Sequence, residues 1–297
     1  MQDIAKDFRA GYVALIGRPN AGKSTLMNAL LDIKLSIISP RPQTTRRRVF
    51  GILNSDKAQI VFMDTPGLLK PKYKLQKKMM DQVDVSLQDA DALVLLIDAT
   101  ARMSPAELDL KAINPRKIPL ILVLNKIDVV DKQTLLPIIE SYNAHYDFQA
   151  IIPISALKED GLEELKTNLL KMIPYSAPYY PPDSITDQPE RFFVSELIRE
   201  RIFRTFQQEV PYATEVIVEE FKERAKGKDF IAATIVVERQ SQKGILIGKN
   251  GDALKRIGSE ARREIEQFLQ RSVYLELKVK VQESWRKNDS KLKQLGY

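Results

Sequence analysis

The stretch Gly17-Arg18-Pro19-Asn20-Ala21-Gly22-Lys23-Ser24 decides how the first half of this 297-residue chain is read. It follows the apolar run Tyr12–Ile16 and opens a segment with helical spacing, the setting in which a glycine loop cradles phosphates. Glycines let the backbone wrap an anion, so that successive N–H groups and the helix N-terminus face it. In such a loop Lys23 reaches the β and γ phosphates and Ser24 ligates Mg²⁺. Gly17, Asn20, Gly22 and Thr25 join them as expected nucleotide contacts. This loop specifies a nucleoside triphosphate and leaves the base open.

Outward from the loop, four more near-continuous apolar runs appear: Ile60–Met63, Leu93–Ile97, Leu120–Leu124 and Ile151–Ile154. Runs this short and unbroken suit strands buried on both faces of a parallel sheet. Helically spaced stretches, such as Leu75 to Leu87 and Leu162 to Met172, lie between them. The alternation predicts an α/β domain with a doubly wound, mostly parallel sheet.

Three more motifs sit where these runs end. Asp64-Thr65-Pro66-Gly67 follows Ile60–Met63, which places Asp64 at the strand end where such sheets bind ligands. There Asp64 is expected to hold Mg²⁺, and the Gly67 N–H to meet the γ-phosphate. Asn125-Lys126-Ile127-Asp128 follows Leu120–Leu124 and chooses the base. Guanine offers two adjacent donors that one carboxylate accepts together, whereas adenine presents an acceptor that Asp128 would repel. Ser155-Ala156, after the last run, sets a backbone N–H near the guanine oxygen. Four motifs in order, each after its own strand, specify GTP.

The texture then changes. Pro174-Tyr-Ser-Ala-Pro-Tyr-Tyr-Pro-Pro182 cannot continue a helix and reads as a linker. The predicted organisation is a nucleotide domain over 1–174, a linker over 175–190 and a second domain over 191–297. The second domain begins with a helix bearing Phe193, Leu197, Ile198, Ile202 and Phe206 on its apolar face. Two strands follow (Thr214–Phe221 and Phe230–Val237), then a short helix near Gln242, a longer one to about Leu269, and a last strand, Val273–Val281. The order α-β-β-α-α-β is α+β. Between its two later helices lies Gly244-Ile-Leu-Ile-Gly248-Lys249-Asn250-Gly251. A Gly-x-x-Gly turn between helices is how KH domains clamp about four nucleotides of single-stranded nucleic acid. Gly248, Lys249, Asn250 and Gly251 would approach the phosphates and Lys255 and Arg256 add charge. Ile245, Leu246 and Ile247 would form one floor of the groove.

Composition sets bounds on these readings. The chain has no cysteine and one histidine, His145, which excludes disulfides and thiolate metal sites and argues against a His-based centre. No apolar run approaches the roughly 20 residues of a membrane span, and the cytoplasm is the expected compartment. Net charge is +7, with 24 basic and 20 acidic residues in 1–174 and 22 and 19 in 175–297. Any nucleic-acid footprint is therefore a local patch, such as the seven Lys/Arg between Arg239 and Arg263 against Asp252 and Glu260.

With these residues on the page, the chain resembles the Era family of ribosome-assembly GTPases along essentially its whole length. The stretch Thr186–Pro211, the tail residues Trp285 and Arg286, and the closing Leu295-Gly296-Tyr297 add to the resemblance. It implies a first switch at Ser39–Arg46, where Thr44 and Thr45 both could complete the metal shell and the family pattern favours Thr45. The second switch would run from Asp64 to about Met80. The implied catalytic set is Lys23, Thr45, Asp64 and Gly67, with Ser24, Thr45 and Asp64 on the metal. Leu68 and Leu69 stand where many small GTPases carry a water-orienting glutamine, which implies slow intrinsic turnover. In similar enzymes an asparagine at the position of Asn20 holds K⁺. The resemblance further implies binding to the 3′ end of small-subunit ribosomal RNA, a role in small ribosomal subunit assembly, and no DNA binding. A different class of reading remains. In it the chain is a peripheral membrane switch, on the inner face of the cell membrane, or a cell-cycle switch; the run Lys70, Lys72, Lys74, Lys77 and Lys78 would face anionic lipid, or RNA phosphate, or only solvent.

Overall fold

A computed structural model describes residues 7–101 and 103–297. The chain divides into two compact units. The first comprises residues through Ser36, Thr45–Lys70 and Met79–Asp187; the second takes in Ile37–Thr44, Pro71–Lys78 and Gln188–Tyr297.

In chain order the elements of the nucleotide half are β1 (Arg9–Gly17), α1 (Lys23–Leu31), β2 (Val49–Asn54), β3 (Ala58–Asp64), α2 (Lys74–Asp89), β4 (Ala92–Asp98), α3 (Leu110–Ile113), β5 (Leu120–Asn125), α4 (Leu135–His145), β6 (Ala150–Ile154) and α5 (Leu162–Met172). They build a six-stranded sheet in the order β2-β3-β1-β4-β5-β6, parallel apart from β2. The five apolar runs form its parallel strands, and every residue of β3 and β5 is buried. Strand β1 lies between β3 and β4, so connections leave it toward both sides and open the crevice in which such sheets bind ligands. The phosphate loop follows β1 into that crevice.

Strand β2 is the element that apolar runs did not reveal. It is an antiparallel edge strand interrupted by Gly51 and only partly buried, so it has no unbroken run of large apolar residues. The proline-rich stretch expected as linker also differs from a free tether. The Arg9 guanidinium lies 4.0 Å over the Tyr175 ring, and Tyr12 and Tyr179 stack at 5.0 Å. Gln59 accepts from the N–H groups of Tyr179 and Tyr180 and donates to the Tyr180 carbonyl. Farther on, the N–H of Ile52 on β2 donates to the Ile185 carbonyl at 2.9 Å. Prolines hold this strap extended, and an extended strap satisfies the donors of an exposed sheet edge.

The second half contains α6 (Glu190–Thr205), α7 (Glu209–Tyr212), β7 (Glu215–Lys222), β8 (Asp229–Val237), α8 (Gln240–Ile247), α9 (Asp252–Leu269), β9 (Val273–Val281) and α10 (Asp289–Gln294). Its sheet runs β7-β8-β9, with β7 antiparallel and β9 parallel to β8. A parallel pair needs a crossover, and α8 and α9 supply it. Val194, Leu197, Ile198 and Ile202 of α6 meet Leu246 of α8, Ile257, Ala261 and Ile265 of α9, and the inward residues of the strands in one core. The spacing 257, 261, 265 is one face of a helix.

Candidate nucleotide site and nucleic-acid groove

The phosphate loop is shaped by close packing as well as by its helix. Gly22 starts α1 at φ +101°, and a Cβ there would lie 2.1 Å from Asn125 Nδ2. Only glycine meets both conditions. Asn20 also adopts a left-handed conformation, at φ +65°. The buried ammonium of Lys23 donates to the carbonyls of Gly17 and Arg18 at 3.1 and 3.2 Å. Burial lowers its pKa to about 8, with the charge of Asp64 opposing the fall.

At the start of α1 three oxygen-bearing side chains converge. Ser24 Oγ donates to Asp64 Oδ2 at 2.7 Å and lies 2.9 Å from Thr45 Oγ1, while Thr45 Oγ1 is 3.5 Å from the same carboxylate oxygen. Asp64 is fully buried, and burial raises its pKa against Lys23 and the hydroxyls of Ser24, Ser36 and Thr45. Its second oxygen, Oδ1, has no hydrogen-bond partner among the described residues. The neighbouring Thr44 instead donates its hydroxyl to the Arg41 carbonyl at 2.8 Å, so of the two threonines only Thr45 points into this cluster. Gly67 lies against Pro19 of the loop, and the Leu68 N–H donates to the Gly17 carbonyl at 2.9 Å. The Leu68 side chain packs on the apolar core.

At the base end, Asp128 accepts a 2.7 Å hydrogen bond from Ser155 Oγ, which fixes the carboxylate. Asn125, expected among the nucleotide contacts, is turned inward. Its amide nitrogen donates to the Ala21 carbonyl and its oxygen accepts from the Ala156 N–H, both at 2.9 Å. It braces the phosphate loop against the Ser155–Ala156 loop. Lys126, at φ +71°, donates to Asp98 Oδ2 at 2.5 Å. Partial burial pushes the Asp98 pKa up, but hydrogen bonds from Lys126 and Thr100 hold it below the usual range. Asp98 was missed in the sequence, although it ends β4 at the same crevice.

In the second unit, α8 stops at Gly248 (φ +73°), and Gly251 (φ +84°) starts α9. Lys249, Asn250, Lys255 and Arg256 are exposed around this turn. Beside it runs a groove of about 440 Å³ between α9 and the edge strand β9. Gly251, Leu254, Lys255, Gly258, Ser259 and Arg262 form one wall; Tyr274, Leu275 and Leu277 form the other. The wall residues of α9 recur every three or four positions, a helical signal that sequence reading left unused. Of the three expected floor residues, one is inaccessible. Leu246 is fully buried in the core, and Ile245 lines a separate hollow with Gln208, Glu238 and Arg239. Neither Ile247 nor Arg256 lines the groove. Residues 245–247 belong to α8, whose apolar face turns to the core.

A strand–glycine loop–helix with an Asn-Lys-x-Asp base reader, followed by a Gly-x-x-Gly helix pair, defines a GTPase joined to a KH domain. The profile of the 50S ribosome-binding GTPases matches residues 12–126, and that of the KH domain matches residues 209–286. GTPase Era of Geotalea uraniireducens is 50% identical over 98% of this chain and 99% of its own. GTPase Era of Lacticaseibacillus paracasei is 47% identical over 98% and 97%. Two solved Era structures superpose with TM-scores of 0.93 at 42% identity, each covering 98% of this chain and 99% of the other. One is an Aquifex aeolicus variant bound to GDP·AlF₄⁻; the other is in complex with MgGDPNP and nucleotides 1506–1542 of 16S ribosomal RNA. The chain belongs to the Era family of GTPases and hydrolyses GTP.

Proposed function

We propose that this GTPase binds GTP with Mg²⁺ through the Ser24–Thr45–Asp64 cluster, grips the 3′ segment of 16S ribosomal RNA in the α9–β9 groove, and serves assembly of the small ribosomal subunit. One observation carries the reading: the buried cluster and the cationic groove occur together in a chain 42% identical to an Era solved with MgGDPNP and that RNA segment.

The cluster fits a hard cation. Two hydroxyl oxygens and a carboxylate are the donor set such a cation takes, and a buried carboxylate oxygen with no partner is costly unless something fills that role. Ser24, Thr45 and Asp64 would hold Mg²⁺, which would neutralise charge on the β and γ phosphates. Lys23 supplies a second positive charge there, and a phosphate beside it favours the protonated ammonium that burial disfavours. Asp128, fixed by Ser155, accepts both guanine donors. Gly67 carries its N–H toward the γ-phosphate, while Leu68, packed on the core, offers no group to orient the attacking water. Intrinsic hydrolysis is therefore slow.

Asn20, in its left-handed loop position, supports a K⁺ ion near the phosphates. Hydrolysis is expected to run faster in KCl than in NaCl of equal strength, and equal rates would remove the ion from the account. The membrane alternative gains nothing from the lysine run. Lys74 is ion-paired with Asp289, whose pKa is lowered by that hydrogen bond and by the nearby Lys77 and Lys78. Flotation with anionic vesicles checks it.

The central test is titration of the 3′ rRNA segment with a non-hydrolysable GTP analogue and then with GDP. Gly251→Asp, compared with Gly251→Asn, serves as control: a Cβ there meets no neighbour within 4 Å, both variants share the backbone strain of φ +84°, and only aspartate adds a charge that phosphate would meet. Binding by the wild type that Gly251→Asp abolishes supports the reading. No binding with either nucleotide sinks it.

A further inference from the structure

The tip of the β7–β8 hairpin reads Lys222-Glu-Arg-Ala-Lys-Gly-Lys228, four basic residues against one acidic, and all seven are exposed. The nearby carboxylates are already engaged. Glu190, Glu223 and Asp229 all share the one guanidinium of Arg271, at 2.5, 3.3 and 3.1 Å, and Asp229 also accepts the Arg224 N–H at 2.9 Å. Glu220 pairs with Lys222. Positive charge at the tip therefore rests on Arg224, Lys226 and Lys228.

Next to the tip stands a pair of rings. Phe230 and Tyr274 are register partners across β8 and β9, and their rings stack at 5.9 Å and 13°. The Arg224 guanidinium lies 6.0 Å over the Phe230 ring. Tyr274 is 56% exposed and is also a wall of the α9–β9 groove, at the level of Arg262 rather than of the Gly-x-x-Gly turn. A cation–ring–ring series thus begins on the hairpin and ends inside the groove. Single-stranded nucleic acid asks for this pattern, in which cations track phosphates and exposed rings take bases. An anionic lipid surface or an acidic protein would use the charges but not the ring that opens into the groove.

We propose that the β7–β8 hairpin tip and the Tyr274–Phe230 stack form a second contact patch for single-stranded RNA, holding the nucleotides that leave the groove at its Tyr274 end. The inference rests on the groove being the RNA site. Arg224, Lys226 and Lys228 meet phosphates, and Tyr274 stacks on a base at the exit.

Fluorescence anisotropy on the full chain with a GTP analogue tests it. Two oligonucleotides from the 3′ rRNA segment are compared: one of about four nucleotides, the length a KH groove clamps, and a longer one extended at both ends. In the triple variant Arg224→Gln/Lys226→Gln/Lys228→Gln the short oligonucleotide binds as before. The longer one loses about 2 from the slope of log affinity against log salt, at about 0.7 per lost contact to a single strand. Tyr274→Leu weakens the longer oligonucleotide by roughly tenfold, while Tyr274→Phe, which keeps the ring, does not. An unchanged slope in the triple variant, or Tyr274→Leu binding like the wild type, overturns the proposal and leaves the groove reading intact. Loss of anionic-vesicle binding in the triple variant with RNA binding unchanged also overturns it, in favour of a membrane contact. If the wild type binds neither oligonucleotide, the groove reading falls too.

Discussion

Gly258 sits in the interior of α9, where glycine is normally a cost, and it faces the groove. A Cβ placed there would come no closer than 3.4 Å, to Leu277 Cδ1, an ordinary contact. Packing within the chain therefore gives no reason for the missing side chain, and Gly258→Ala should fit the native fold without strain. Restricting the unfolded backbone and filling a helix-interior glycine stabilises by about 0.5–1 kcal/mol. For a unit of this size that raises the Tm of its transition by about 3–6 °C. The same methyl projects into the space where a base would lie. An extra methyl in a filled, close-packed contact costs about 1–3 kcal/mol, or roughly 5- to 150-fold in affinity. The expected signature is opposed: higher thermal stability and weaker RNA binding from one substitution. Differential scanning calorimetry and anisotropy with the 3′ rRNA segment measure the two arms. A higher Tm with unchanged affinity would refute the claim that RNA approaches Gly258. A lower Tm would refute the packing on which the argument stands.

Two other outcomes are expected. Asp128→Asn replaces the carboxylate proposed to accept two guanine donors by an amide that would accept only one; GTP affinity should fall by about 100-fold or more, while xanthosine triphosphate, whose C2 oxygen would accept from the new amide, should gain. Isothermal titration with both nucleotides reads this, and undiminished GTP binding would remove Asp128 from the base site. In the nucleotide-free protein Lys23 titrates at about 8 rather than at the usual 10.5 because it is buried. Between those values the unfolded chain holds more protons than the folded one, so stability should rise with pH, by up to about 3 kcal/mol across the window. Denaturant unfolding at pH 7.5 to 10 should show a rise that Lys23→Met lacks, and parallel profiles would contradict it.

The parallel strands were legible because they are buried on both faces, which leaves unbroken apolar runs such as Leu120–Leu124. Strand β2 was not, because an edge strand with Gly51 needs no such run. The placement of polar groups at strand ends was legible, as with Asp64 beside Ser24 and Asp128 beside Ser155. It was less so where a residue's role is set by what lies across space. Asn125 reads from sequence as a nucleotide contact, yet one N–H and the oxygen of its amide also join Ala21 to Ala156, a bracing role that only the fold reveals. Which of Thr44 and Thr45 aims its hydroxyl at Ser24 and Asp64 is set by the backbone, and spacing alone does not encode that. On the RNA side the Gly-x-x-Gly turn was plain, but the groove's far wall comes from β9, more than twenty residues downstream. No local pattern joins Tyr274 to Arg262. The expected floor, Ile245 to Ile247, shows the same limit: one helix turn contains both core (Leu246) and surface (Ile245), and the sequence there is uniformly apolar.

Asn125 bears on more than its two hydrogen bonds. Its side chain must donate at one end and accept at the other across a fixed gap. Aspartate, almost the same shape, would set an oxygen against the Ala21 carbonyl; leucine would strand the Ala156 N–H. A random change at this codon therefore has almost nowhere harmless to go, although the residue need touch no nucleotide. Constancy at this position, wherever it is observed, would record the joining of two loops as well as any contact with the base they enclose.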